Sequence, residues 1–108
     1  MKLNIYEKRK IVKTYTADEY DLMFGVLEDV IRVVNLDKVK TGSDAELIKL
    51  VGEAVISSMD TIKDLLKDIF EGLTDDEIKR AKVTEIGSVV LDVVKYTMLK
   101  LRALNSKN

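Results

Sequence analysis

The chain has 108 residues, enough for one domain, and its 46% apolar and 34% charged residues are the mix of a folded protein. Lys and Arg number 18 against 19 Asp and Glu, and the net charge of −1 offers no overall basic field to gather nucleic acid or an anionic membrane. With no His and no Cys, the chain lacks the usual proton carrier and any thiolate nucleophile, disulfide or zinc–thiolate site, which argues against an enzyme and against a bound cofactor or metal.

At the start, Leu3 and Ile5 alternate with polar residues, and Ile11, Val12 and Tyr15 follow the charged run Glu7-Lys8-Arg9-Lys10. That pattern predicts a β-hairpin over 1–15. Its tip has neither Asn-Gly nor Gly, which predicts a turn longer than two residues. Thr16-Ala-Asp-Glu19 reads as a capping box opening a helix from Ala17 to Leu36. Its main apolar stripe is Tyr20, Met23, Phe24, Leu27, Val30, Ile31 and Val34, and Lys38 to Gly42 is the break after it.

Ser43-Asp-Ala-Glu46 is a second capping box. The stripe Leu47, Val51, Val55, Ile62, Leu66 and Ile69 predicts one long helix over about 44–70, or two nearly collinear ones. Ser57-Ser58 is the expected place for a bend. Gly72 is a stop signal, and Thr74-Asp-Asp-Glu77 opens a short helix, Asp75 to Ala81. A last helix is expected from Glu85 to Leu104, with Ile86, Val90, Val93, Val94, Leu101 and Leu104 inward. The fold expected is mainly α (α+β): an N-terminal β-hairpin followed by three or four helices, one of them long. It makes a single domain over 1–104, with a flexible tail at 105–108. No apolar run reaches the roughly 18 residues of a membrane span, and MKLNIYEKRK lacks the apolar middle of a signal peptide, so the expected location is the cytoplasm.

Few residues invite chemistry. Asp60, Asp64 and Asp68 line one helix face, but a straight row does not converge on a cation, and Lys63 and Lys67 sit at ion-pair spacing beside it. Asp75, Asp76 and Glu77 suit a helix N-terminus and its dipole. Lys8-Arg9-Lys10, Lys38/Lys40 and Lys79-Arg80/Lys82 are short basic spots near element boundaries, without the aromatic interleaving of a nucleic-acid surface. The apolar surplus says more. Val26 and Val33 form a second pair beside the first helix's main stripe, Ile56 faces away from its own helix's stripe, and Leu91, Met98 and Leu99 lie off the last helix's core stripe. A central helix wrapped by the others would use such a surplus, and so would a surface for self-association or a partner helix. A chain of this length can surround at most one helix, and at least two carry surplus. Val26, Val33, Ile56, Leu91, Met98 and Leu99 are therefore the candidate partner-binding residues.

The run MDTIKDLLKDIFEGLTDDEIKRAKVTEIGSVVLDVVKYTM, and the N-terminal NIYEKRKIVKTYTADEYDLMFG, resemble the tail assembly chaperones of long-tailed phages of Gram-positive bacteria. The most specific part is KDIFEGLTDDEIKRAKVTEI. Members often carry a proline in the helix after that segment, where Gly87 and Ser88 stand here. The resemblance implies a protein of the host cytoplasm that binds and solubilises the tape measure protein during tail assembly and is absent from the virion. It also implies a frameshifted long form that recruits the tail tube protein. The final Ser-Lys-Asn is compatible with a slippery A AAA AAC, and self-association is expected because many copies would coat one long partner. A small nucleic-acid-binding phage regulator and a structural head–tail or tail completion protein are the alternatives; the charge balance speaks against the first.

Overall fold

A computed structural model describes residues 1–18, 21–34 and 43–105, with side chains as far as residue 100. Strands β1 (Lys2–Glu7) and β2 (Lys10–Thr16) form an antiparallel hairpin. Helices α1 (Phe24–Val33), α2 (Asp44–Ser57), α3 (Met59–Ile69), α4 (Asp75–Lys79) and α5 (Val83–Asn105) follow. The expected mainly α fold with an N-terminal hairpin is the one found.

The hairpin tip departs from expectation. Glu7 pairs with Lys10, so the turn has only two residues, and Lys8 (φ 52°) and Arg9 (φ 70°) both take the left-handed conformation that such a turn demands. The ladder needs that backbone hand to match its own twist, and two residues with Cβ atoms accept the strain. Val12 is left over between the Ile5–Lys13 and Tyr6–Ile11 pairs as a bulge. Leu3, Ile5 and Tyr15 turn their side chains into the core, and Ile11 and Val12 stay exposed.

The first helix is shorter than expected. Thr16 ends the ladder opposite Lys2, the Ala17 N–H donates to the Met1 carbonyl, and no helix opens at Ala17. Glu19 and Tyr20 lie outside the described residues, as do Leu36 and the expected break at Lys38 to Gly42. Helix α1 instead starts at Phe24, after Met23, which gives no side-chain cap. The long helix of about 44–70 is two helices. Ser57 Oγ donates to the Glu53 carbonyl at 2.7 Å, and Ser58 leaves helical geometry at φ −136°, ψ 46°. Downstream the sequence signals hold. Ser43 caps α2 by accepting from the Glu46 N–H, Gly72 takes a positive φ of 87°, and Thr74 and Glu77 form the reciprocal capping box of α4. Helix α5 begins two residues before the expected Glu85 and runs to Asn105; the rest of the expected tail lies outside the described residues.

Helix α5 is the central element, packed against β1, α1 and α2, while α1 also lies on α3. Ile86, Val89, Val90, Val93, Val94 and Thr97 are buried along it. They meet Leu3 and Ile5 from the hairpin, Val26 and Val30 from α1, Leu47, Val51 and Ala54 from α2, and Leu65 and Leu66 from α3 in one continuous core.

Candidate partner-binding surface

The six residues singled out by helical geometry separate into three groups. Val26 is a correction: it is 1% exposed and belongs to the core, and it reaches the surface only as part of the lining of a groove between α1 and α5. Val33, Leu91 and Met98 are half-buried and pack against the core from its edge. Ile56 and Leu99 stand out from the surface, 81% and 64% exposed. The structure does not gather the six into one patch. Leu91 and Met98 are explained by the central position of α5, which needs more than one apolar face.

Helix α1 is rotated relative to its predicted orientation. Val30 and Val34 of the expected core stripe face inward, joined by Val26, while Met23, Phe24 and Ile31 of the same stripe lie on the surface. Both sets obey the 3.6-residue period, so periodicity could not choose between them. Turning the valine set inward carries Asp29 with it against Asp68 of α3, an electrostatic cost that the burial of Val26, Val30 and Val34 must offset. Phe24 is 73% exposed, and Phe24 and Ile31 are two turns apart on one side of α1, with half-buried Leu27 between them. Next to them, Met23, Phe24 and Leu27 line a groove of about 290 Å³ whose other wall is Tyr96, Thr97 and Lys100 of α5. This exposed apolar side of α1 was missed by the sequence reading, since it was spent there on the core.

Two polar nodes lock the elements that bear these surfaces. The Tyr15 hydroxyl donates to Glu77 Oε1 at 2.6 Å, the same carboxylate accepts from the Thr74 N–H at 3.1 Å, and Lys13 Nζ lies 3.3 Å from Oε2. The Tyr15 hydroxyl, then the Thr74 N–H and Lys13, hold the Glu77 carboxyl down at about 2. At the other node Asp29 is buried. Burial first, then the carboxylate of Asp68, push it up to about 6, and Arg32, 3.6 Å from Oδ1, pulls only weakly the other way. With both carboxylates ionised, Asp29 Oδ2 has no donor.

The acidic row on α3 does not assemble into a site. Asp68 faces Asp29, and Lys67 reaches forward to Asp75 at 2.6 Å. Among the described residues no group of three or more Asp, Glu, His or Cys is arranged to hold a metal ion, and no helix is long and apolar enough to cross a membrane. The basic spots behave differently: Lys8 and Arg9 at the hairpin tip meet Lys79, Arg80 and Lys82 at the α4–α5 junction.

The architecture is that of a small helical bundle carrying a hairpin, with apolar positions left on its surface. No protein-family model, curated protein or solved structure matches the chain.

Proposed function

We propose that this protein is a phage tail assembly chaperone, a binding protein and not an enzyme, acting in the host cytoplasm on the tape measure protein. The observation that carries the reading is the exposed apolar side of α1, where Met23, Phe24 and Ile31 present the spacing that an amphipathic partner helix would match. Ile48 and Ile56 of α2 and Met59 of α3 extend the apolar supply outside the core. A holder of apolar helices needs such positions on a scaffold that stays folded without its partner, and the closed core around α5 supplies that scaffold. The resemblance through KDIFEGLTDDEIKRAKVTEI names the partner class. Recruitment of the tail tube protein belongs to the frameshifted long form under the same reading.

Co-expression with the tape measure protein of the same genome tests it. The wild-type chain should keep that protein in the supernatant. The double substitution Phe24→Lys and Ile31→Lys should lose this ability while keeping its helical circular dichroism, because both side chains are already exposed. Mass spectrometry of purified virions should find the tape measure protein and not this chain; its presence there would favour a structural tail component.

A further inference from the structure

Five cations separated in sequence converge on one cleft. Tyr6, Lys8, Arg9, Lys79, Arg80, Ala81 and Lys82 line a depression of about 470 Å³, and no carboxylate contributes to its wall. The cleft is built by the fold: the Tyr6 N–H donates to the Arg80 carbonyl at 2.9 Å, and Ile5 bridges to Ala81, which ties the α4–α5 junction to the edge of β1. The carboxylates nearby lie outside that wall, and most are engaged. Asp76 pairs with Arg80 Nη2 at 3.2 Å, Glu85 accepts from the Tyr6 hydroxyl and the Asn4 N–H, and Asp75 pairs with Lys67 at 2.6 Å while also acting on Lys79 through space; Glu7 stands opposite Lys10 in the ladder without an ion pair among the described residues. Among the described residues none forms an ion pair with Lys8, Arg9, Lys79 or Lys82, and Arg80 Nε is buried without an acceptor. Lys82 rests its ammonium 4.7 Å from the Tyr6 ring centre, which leaves that ring covered and its hydroxyl occupied. Gathering cations of one sign around an acid-free pocket costs free energy unless an anion joins them.

We propose that this cleft is a docking site for an acidic segment of a partner protein, a short cluster of Asp or Glu side chains seated among Lys8, Arg9, Lys79, Arg80 and Lys82. Nucleic acid fits less well, because it asks for a continuous basic track and an open aromatic platform. Here the cations are confined to one small depression, and Tyr6 is already covered. The site is independent of the tape measure reading and of the apolar side of α1.

Fluorescence anisotropy of the full chain with a labelled oligoglutamate, and with an oligothymidylate of equal charge, tests the proposal at low and at physiological salt. Oligoglutamate should bind better than oligothymidylate. The substitutions K79Q/K82Q should weaken it by about tenfold, the effect of losing charge-assisted contacts. Arg9→Gly should weaken it too, although glycine relaxes the left-handed turn and stabilises the fold, so that loss could not come from unfolding. Removing equal charge elsewhere, K2Q/K49Q, should change affinity by no more than about twofold. Absence of oligoglutamate binding, equal losses in K2Q/K49Q, or tighter binding of oligothymidylate would each overturn it, the last in favour of a nucleic-acid surface.

Discussion

Asp29 is the residue whose chemistry conflicts most with its position. It is buried on α1, faces Asp68 and has only an exposed arginine for relief. Its folded-state carboxyl titrates near 6 against an ordinary 3.8, so the folded chain holds the extra proton between those values. This contribution to stability is complete below the ordinary value and is lost as pH rises through about 6. Urea unfolding should therefore show a higher midpoint at about pH 5 than at about pH 7. Asp29→Asn removes the charge and gives Asp68 a donor; it should raise stability at neutral pH by about 1 kcal/mol and flatten that difference. Glu77 acts in the opposite sense. Its carboxyl is held at about 2 against an ordinary 4.5, so its contribution is present above the ordinary value and fades as pH falls through the folded one. Neither node was legible in sequence, because each joins side chains from distant segments: Tyr15 with Glu77, and Asp29 with Asp68.

Among the elements, two of the three expected capping positions, Ser43 and Thr74, open helices. Thr74-Asp-Asp-Glu77 closes as a reciprocal box. Thr16 carries the same signal, yet it ends a strand and α1 begins only at Phe24. The α2–α3 break follows from local chemistry that sequence exposes: a serine hydroxyl competing for the Glu53 carbonyl. Helix α2 keeps one internal weakness. A Cβ added at Gly52 meets nothing within 4 Å, and the residue lies on the exposed side of the helix. Gly52→Ala should raise stability by about 1 kcal/mol, read as a higher urea midpoint with an unchanged slope.

For the whole molecule, the deciding fact is that α5 sits in the middle, touched by the hairpin, α1 and α2. Apolar surplus on a helix has two readings, and position alone separates them. For Leu91 and Met98 the surplus fills the edge of the core, whereas Ile56 and Leu99 keep theirs on the outside. Replacing Leu91 and Met98 with Lys should consequently destabilise the fold by about 3 kcal/mol or more, lowering the thermal midpoint seen by circular dichroism. The lysine pair Phe24→Lys and Ile31→Lys should leave that midpoint nearly unchanged. The contrast between the two pairs checks the rotation of α1 and the centrality of α5 together.

Local rules determined much of this protein from its sequence alone. Alternation made the hairpin, the 3.6-residue period made the helices, and Ser43, Ser57-Ser58, Gly72 and Thr74 marked most of the boundaries. These signals act within a few residues, where backbone hydrogen bonding and steric limits are decided. Tertiary structure decided which of two equally periodic faces of α1 turned inward and which surplus side chains were core. It also brought Lys8 and Arg9 against Lys79, Arg80 and Lys82. Each of those depends on contacts between segments far apart in the chain, and periodicity carries no information about which face meets which neighbour.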